Sequence, residues 1–222
     1  MARLLAPARR GSGKTPSGPA GALMDQSVPT GRRVLVFCAS SGSCAAAFHA
    51  AAATLGRSLA RAGDTVVYGG GAVGSMGALA DAALEEGGQV VGIIPHFMRE
   101  LEWAHPGLSE LHLVDDMQQR KKRMIENADA IVTLPGGSGT FEELFEAITS
   151  KRLGFFPKPI VILNQSGFYD PLFTLLGRSV EERFMHDAHL DLWHAVERVD
   201  DVLPAIDSAV DWPEDAIGFA TR

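Results

Sequence analysis

The sequence predicts one α/β domain built on a doubly wound parallel sheet. Short apolar runs alternate with helical patterns from Arg33 to about residue 210, which is typical of parallel strands joined by right-handed crossovers. The first run, Val34 to Cys38, is continuously apolar, as expected of a strand that helices cover on both faces. Three runs end in turns rich in glycine or serine, where ligands bind in such sheets. We therefore expect a Rossmann-like sheet of about seven strands flanked by helices.

The first three strands are predicted from well-separated apolar runs. Residues 34–38 form the first run, and a turn of small hydroxyl residues leads from it into an Ala-rich helix that extends to about Ala62. The second run, 65–68, ends in three consecutive glycines and precedes another helix. The third run, 89–94, is stopped by Pro95.

Four further strands continue the series. Their apolar runs lie at 111–114, 130–134, 159–163 and 195–199, and a helical pattern follows each of them. The connection at 99–105, between the third and fourth strands, is irregular and carries two carboxylates, an aromatic ring and a histidine. It is expected either to reach over a bound base or to cover the edge of the sheet.

Composition restricts the class of protein and its partners. The chain has 222 residues, of which 46% are hydrophobic and 21% charged, as expected of one globular domain. A net charge of −7 argues against nucleic acid or an anionic membrane as the main partner. Cys38 and Cys44 lack metal-ligand spacing and are predicted to be reduced and buried, which favours the cytoplasm.

Both ends of the chain are predicted to lie outside the domain. Residues 1–30 are rich in Gly, Pro, Ala, Ser and Arg and have no acidic residue before Asp25, which is typical of a disordered tail. This composition fits a transit peptide, or Met24 is the true start. We assign 31–210 to the folded domain and 211–222 to a C-terminal tail.

The segment from Pro135 to Glu143, Pro-Gly-Gly-Ser-Gly-Thr-Phe-Glu-Glu, joins the fifth strand to its helix. Glycines let the backbone turn sharply and present successive N–H groups, and a helix beginning near Thr140 adds partial positive charge. The segment is therefore predicted to bind an anion. Glu142 and Glu143 follow in the first turn, where carboxylates can bind sugar hydroxyls or polarise water.

Helical periodicity separates the residues of the basic run 120–123. On a helix over 116–128, Lys121 falls near the centre of the apolar stripe and Arg120 on its flank. Lys122 and Arg123 point away and are interpreted as surface charges. Packing alone is an alternative explanation for Lys121, because a lysine stem can snorkel from an apolar face.

Helical periodicity also predicts an acidic outer face on the helix that follows the glycine turn. Glu142, Glu143 and Glu146 share this face, and Glu146 is interpreted as an ordinary solvated residue. Because the carboxylates point away from their own sheet, a neighbouring loop or a second subunit is expected to roof the site, which favours a homodimer. The predicted buried stripe comprises Phe141, Leu144, Phe145 and Ile148.

These residues resemble the LONELY GUY family of cytokinin riboside 5′-monophosphate phosphoribohydrolases, formerly labelled possible lysine decarboxylases. The resemblance covers nearly all of residues 33–207. The family signature Pro-Gly-Gly-x-Gly-Thr-x-x-Glu is met by Pro135 to Glu143 and is preceded by the pair Arg120-Lys121. Further matches are Ser40-Ser41-Gly42, Tyr68-Gly69-Gly70-Gly71 with Gly74 to Gly77, Lys158-Pro159 and Gly167-Phe168-Tyr169.

Two departures from the family pattern are visible. Gln118 stands where relatives often have histidine, which weakens any role for an imidazole behind the catalytic pair. Residues 150–152 read Ser-Lys-Arg where relatives often carry Trp-Ala-Gln. The wall of the base pocket or the dimer contact is therefore expected to differ.

The resemblance implies hydrolysis of the N-glycosidic bond of an N6-substituted AMP, giving the free base and ribose 5-phosphate without a metal or organic cofactor. Arg120 and Glu143 would be the catalytic pair, and Gly136 to Thr140 with Ser41 would bind the 5′-phosphate. The implied substrate-binding residues are Ser41, Glu102, Lys121, Gly136, Gly137, Ser138, Gly139, Thr140, Glu142 and Thr149.

Two other functions stay open at this point. One is a broader nucleotide 5′-monophosphate nucleosidase that acts on AMP itself. The other is a non-catalytic carrier of a nucleotide or of molybdopterin, against which the presence of both Arg120 and Glu143 argues. A lysine decarboxylase would need a lysine that holds pyridoxal phosphate, and no sequence pattern marks one.

Overall fold

The computed structural model describes residues 31–99, 101 and 104–213. The predicted N-terminal tail, Glu102 and residues 214–222 of the predicted C-terminal tail lie outside the described residues. The strands are β1 (Arg33–Phe37), β2 (Thr65–Tyr68), β3 (Val90–Pro95), β4 (Glu110–Val114), β5 (Ala130–Thr133), β6 (Ile160–Leu163) and β7 (His194–Val196). The helices are α1 (Ala46–Arg61), α2 (Gly74–Glu85), α3 (Met117–Ile125), α4 (Ser138–Arg152), α5 (Asp170–Glu181) and α6 (Val202–Ser208).

All seven strands are parallel and form one sheet in the order β4-β3-β2-β1-β5-β6-β7. The chain builds the sheet outward from β1 to β4, returns to the other side of β1 at β5, and then builds toward β7. The reversal leaves a crevice beyond the carboxyl ends of β1 and β5, the position at which ligands bind in doubly wound sheets. The predicted fold class is confirmed.

Two hydrophobic cores cover the two faces of the sheet, because successive strand side chains point to opposite sides. On β1, Val34 and Val36 pack with residues of α1, α2 and α6, whereas Leu35 and Phe37 pack with residues of α3, α4 and α5. Both sets are almost fully buried. This arrangement explains why β1 is apolar from Val34 to Phe37.

Most predicted element positions are correct, and the differences are local. The last strand, predicted over 195–199, is the three-residue β7, and a short 3₁₀ turn begins at Val199. Helix α4 begins at Ser138 instead of near Thr140, which moves Glu142 and Glu143 from its first turn to its second. Among the described helices, none has the length and apolar character needed to cross a membrane.

The cysteines follow the prediction only in part. Cys38, directly after β1, is buried, but Cys44 before α1 is half-buried because it lies in the surface turn that precedes the helix. Neither of them forms a disulfide.

Lys151, in the segment that departs from the family pattern, lies on the inward face of α4 and is 1% exposed. Burial lowers the pKa of its ammonium group to about 8, and the charge of Asp211 opposes this shift. The folded protein therefore releases this proton at a lower pH than an exposed lysine would.

We predict that Lys151 makes the free energy of unfolding rise with pH above about 8. The unfolded chain keeps this proton to about pH 10.4, so between the two values the unfolded state binds more protons and stability increases with pH. In the wild-type protein the rise should reach about 3 kcal/mol, since the two pKa values lie more than two units apart and each unit corresponds to about 1.4 kcal/mol. Urea unfolding of the wild type and of Lys151→Met across this pH range measures it.

The control for this measurement is Lys122→Met, which removes an exposed lysine of α3. It should keep the wild-type pH dependence, whereas Lys151→Met should lack the rise. Equal slopes in the wild type and Lys151→Met would contradict the prediction.

Candidate active site

A cavity of about 320 Å³ lies in the crevice beyond β1 and β5. Its walls come from the turns that follow β1 and β5, from the segments after β2 and β3, and from α3. Eight of the residues predicted to form the site line this cavity: Ser41, Arg120, Gly137, Ser138, Gly139, Thr140, Glu142 and Glu143. The topology thus brings together segments that are about 100 residues apart in sequence.

The glycine turn places the N-terminus of α4 at the wall of the cavity. Gly137 is the N-cap residue, and no side chain caps the helix, so its first backbone N–H groups have no intrahelical acceptor. These groups and the helix dipole favour an anion at this position. Ser138, Gly139 and Thr140 make up the first turn and all line the cavity.

The glycines of this turn have different physical roles. A Cβ on Gly136 would lie 2.2 Å from Oγ1 of Thr140, so this position packs too tightly for a side chain. A Cβ on Gly137 or Gly139 would meet no atom within 4 Å, although both residues line the cavity. The absence of side chains at these two positions keeps space open in front of the helix N-terminus.

Arg120 enters the cavity from α3 and is 3% exposed. Its Nε donates a hydrogen bond of 3.1 Å to the carbonyl oxygen of Ile93 on β3, and its Nη2 donates one of 3.2 Å to the carbonyl of Gly69, directly after β2. These two bonds fix the plane of the guanidinium group. Because arginine stays protonated, they hold a permanent positive charge at the cavity wall.

The contact with Arg120 explains one glycine of the run at 69–71. A Cβ on Gly69 would lie 2.3 Å from Nη2 of Arg120, so only glycine leaves room for the guanidinium group in this position. Gly70 has a φ of +82°, a backbone conformation that favours glycine. The sequence pattern alone does not distinguish a glycine that this contact requires from one that lets a helix pack closely on the sheet.

Glu143 differs from its sequence-based prediction. It is 8% exposed and lines the cavity with Arg120, instead of facing outward. It belongs to the inward stripe of α4, which at this end of the helix borders the cavity and not the packed sheet. Phe145, predicted to be buried, is 38% exposed. The inward residues of α4 are Thr140, Glu143, Leu144, Ala147, Ile148 and Lys151.

Lys121 connects α3 to α4 and does not line the cavity. Its Nζ lies 2.5 Å from Oε1 of Glu142 and 2.8 Å from Oε2 of Glu146. The hydrogen bond to Glu142, and next the one to Glu146, raises the pKa of Lys121. Glu146 is therefore an ion-pair partner and not the ordinary solvated residue predicted, and Lys121 holds Glu142 at the cavity edge.

Besides Lys121, two described residues of the predicted substrate site, Gly136 and Thr149, do not line this cavity. Gly136 lies under the turn and lines a smaller adjoining cavity. Thr149 is exposed and lies about 13 Å beyond Thr140 along α4, at 1.5 Å per residue. Glu102 lies outside the described residues.

Comparison with known proteins shows the family to which the sequence is similar. The family model described as possible lysine decarboxylase matches residues 76–206. A cytokinin riboside 5′-monophosphate phosphoribohydrolase of Rhodococcoides fascians is 44% identical over 77% of this chain and 86% of its own length. An Arabidopsis thaliana protein of the same name is 42% identical over 73% of this chain and 76% of its own length.

The chain belongs to the LONELY GUY family of phosphoribohydrolases. The resemblance inferred from the signature turn is confirmed. In this LONELY GUY protein, the segment after β5 carries the signature and forms the N-terminus of α4.

Solved structures share the fold. A structural-genomics X-ray structure is 26% identical, with a TM-score of 0.63 over 80% of this chain and 99% of the other. The molybdenum cofactor carrier protein of Chlamydomonas reinhardtii is 20% identical, with a TM-score of 0.62 over 80% of this chain and 96% of its own. At 20% identity, this second likeness concerns the fold alone.

Sequence reasoning missed two features of the LONELY GUY site. Met76, Met98 and Met117 line the cavity. No periodicity distinguishes them from core methionines, although Met117 stands three residues before Arg120. Tyr169, which sequence matching noted without a role, is buried, and its Oη donates a 2.7 Å hydrogen bond to the carbonyl oxygen of Leu134. This bond fixes the chain directly before the glycine turn.

We predict that Gly139→Ala weakens anion binding without weakening the fold. The new methyl group would lie at the cavity wall and lower the affinity for inorganic phosphate at least about tenfold, or about 1.4 kcal/mol. The helix itself should gain up to about 1 kcal/mol, since alanine is the better helix former. Thermal-shift titration with phosphate measures both effects.

The matched control is Gly136→Ala, in which the methyl group would collide with Thr140. This variant should lose about 1–3 kcal/mol of stability, as overpacked sites do. Unchanged phosphate affinity in Gly139→Ala would show that the cavity mouth is not the anion site.

Proposed function

We propose that the protein hydrolyses the N-glycosidic bond of cytokinin riboside 5′-monophosphates and releases the free base and ribose 5-phosphate. One observation carries this proposal: the helix N-terminus, Arg120 and Glu143 line a single cavity at the switch point of the sheet. The relatives at 42–44% identity that are named for this activity support it.

The 5′-phosphate is proposed to bind at the N-terminus of α4. Backbone N–H groups of residues 137–140 and the hydroxyl of Ser41 would donate to its oxygens. This binding would position the ribose toward Glu143 and Arg120, in the same cavity. Binding energy at the phosphate would thus orient the glycosidic bond, which does not itself contact the glycine turn.

Glu143 is proposed to act on the ribose. As the bond to the base breaks, positive charge develops on the sugar ring, and a fixed carboxylate stabilises that charge. The same carboxylate can bind ribose hydroxyls and orient the attacking water. Burial strengthens these interactions, because water screens them less.

Arg120 is proposed to supply positive charge and not a proton. A guanidinium group stays charged at all physiological pH values, and two backbone carbonyls hold this one in place. It would support the phosphate or the electrons that move onto the departing base. Glu142, held by Lys121, would complete the polar edge of the cavity.

We predict that Glu143→Gln lowers kcat about 100-fold or more, a loss typical of an acid or base group. Affinity for inorganic phosphate should stay unchanged, because the α4 N-terminus is intact. The matched control, Glu146→Gln, removes a carboxylate one turn further along α4 that pairs with Lys121. It should keep kcat within a few-fold, so near-normal turnover in Glu143→Gln would refute the assignment.

Base release, measured by liquid chromatography, tests the function and its alternative. We expect faster release of base from N6-isopentenyl-AMP than from AMP, because three flexible methionines line the cavity and can pack against an apolar substituent. Preference for plain AMP would favour the broader nucleosidase. Retention of ligand with no release of base would favour a carrier.

A homodimer is proposed to complete the site. Glu142, Phe145 and Thr149 share an exposed stripe on α4 that starts at the cavity edge. Their spacing of three and four residues places them on one helix face. A second subunit packed on this stripe would roof the cavity, and Thr149 would then contact the partner rather than the substrate of its own chain.

We predict that Phe145→Asp dissociates this dimer and lowers turnover. A charge would replace the large apolar side chain at the centre of the stripe. Phe184→Asp is the control, because Phe184 is also exposed but follows α5. Sedimentation velocity should give a dimer for the wild type and the control, whereas an active wild-type monomer would contradict the proposal.

The cytoplasm is proposed as the location of the protein. Cys38 and Cys44 form no disulfide, and cysteines without disulfides are usual in reducing compartments. Nucleotide monophosphates, the proposed substrate class, are small anions that the positive end of α4 favours.

A further inference from the structure

A second, smaller cavity of about 120 Å³ adjoins the active-site cavity behind the glycine turn. The two cavities share Ala39, Ser41 and Gly137. The side cavity is mainly apolar, because Phe48, Pro135 and Phe168 contribute to its wall. It therefore suits a small uncharged molecule better than a second phosphate group.

One nucleophilic group, the thiol of Cys44, lines this side cavity. Cys44 lies in the turn before α1, and His49 lies in the first turn of that helix. The two side chains meet, with 3.0 Å between Sγ of Cys44 and Nε2 of His49. The helix geometry thus places an imidazole beside a half-buried thiol.

The carbonyl oxygen of Ser41 completes this arrangement. It lies 3.0 Å from Nε2 of His49 and 3.7 Å from Sγ of Cys44. If Nε2 takes the thiol proton, the resulting N–H can donate to this oxygen. In the tautomer whose proton lies on Nδ1, Nε2 faces this oxygen with no hydrogen between them, and in that tautomer the carbonyl favours transfer of the thiol proton to Nε2.

We propose that Cys44 and His49 form a reactive thiol–imidazole pair, and that reversible oxidation of Cys44 by a hydroperoxide switches off phosphate binding at the adjoining cavity. The pair is separate from Arg120 and Glu143, which the hydrolytic reaction uses. The reactivity of Cys44 stands on its own geometry, whereas the effect on turnover rests on the proposed function.

The chemical step balances with one molecule of hydrogen peroxide. The thiol proton moves to Nε2 of His49, and the sulfur attacks one peroxide oxygen. An S–O bond forms while the O–O bond breaks, and the departing hydroxide takes the proton from His49 and leaves as water. Sulfur is oxidised by two electrons to a sulfenic acid and the peroxide is reduced, a change that thiol reductants reverse.

Oxidation at Cys44 is coupled to the phosphate site through Ser41. An added oxygen on Sγ would separate the sulfur from His49 and disturb the contact of His49 with the Ser41 carbonyl. The turn at 40–41 cannot absorb this by moving toward α2, because Gly74 already packs there: a Cβ on Gly74 would lie 2.5 Å from the Ser41 oxygen. Ser41 would therefore move toward the active-site cavity, whose wall it helps to form.

The test treats the full-length protein with hydrogen peroxide and dimedone, which traps sulfenic acids, and quantifies each cysteine by peptide mass spectrometry. Cys38, which is 2% exposed, is the internal reference. We expect Cys44 to be labelled at least about tenfold faster than Cys38. His49→Gln should slow the labelling of Cys44 by about tenfold, since a thiol without a neighbouring base is only a few per cent thiolate near neutral pH.

Two further variants separate reactivity from general damage. His112→Gln removes a histidine of β4 that pairs with Glu110, and it should leave the labelling of Cys44 unchanged. Cys44→Ser should retain base-release activity and phosphate affinity when peroxide is present. In the wild type, peroxide should weaken phosphate affinity at least tenfold, and dithiothreitol should restore it.

Several outcomes would overturn the proposal. Equal labelling of Cys44 in the wild type and His49→Gln would remove the role of the imidazole. Full oxidation of Cys44 with unchanged phosphate affinity would remove the switch. Because labelling and phosphate affinity are measured without turnover, failure of the proposed hydrolysis would be seen separately, as absence of base release from untreated protein.

Discussion

The burial of the Arg120 guanidinium group is the constraint on which the site depends. A permanent charge that leaves water loses several kcal/mol of hydration unless polar groups replace the solvent. Here the carbonyl oxygens of Ile93 and Gly69, at the carboxyl ends of β3 and β2, replace part of it. The bond from Nη2 in turn requires glycine at position 69, because a Cβ would occupy the same space. The buried charge of Arg120 therefore depends on a backbone carbonyl of β3 and on the glycine that follows β2.

The second source of positive potential is the N-terminus of α4, and the two sources converge although the chain as a whole is acidic, with a net charge of −7. This potential depends on geometry: backbone N–H groups at a helix end, which composition does not count, lie at the same cavity as an arginine fixed within the fold. Lys121 adds nothing to this potential at the cavity, because Glu142 and Glu146 pair with it. Its two ion pairs instead connect α3 to α4.

The fold was predictable from the sequence to a greater extent than the site. The mainly apolar runs sufficed for the sheet, because strands covered on both faces are rich in apolar residues. Periodicity predicts an outward Glu143, because it assumes that the inward face of a helix meets an apolar core. Near the start of α4 the inward face meets a cavity instead. The contact between Gly69 and Arg120, 51 residues apart, leaves no local pattern. Periodicity distinguishes Arg120 from the surface charges of its run, whereas the pairing of Arg120 with Glu143 is implied only by the resemblance to a family.

Helix α4 serves three surfaces at once, and this limits how its sequence can vary. Its N-terminus faces the cavity, its inward stripe packs on the sheet, and the stripe of Glu142, Phe145 and Thr149 faces outward from the cavity edge. Glu142 belongs to two of these surfaces, because it lines the cavity and also accepts a hydrogen bond from Lys121. A change at the outer stripe can therefore alter the cavity through Glu142 without touching Arg120 or Glu143. This coupling gives the outward face of α4 a role in the chemistry that its exposure alone does not indicate.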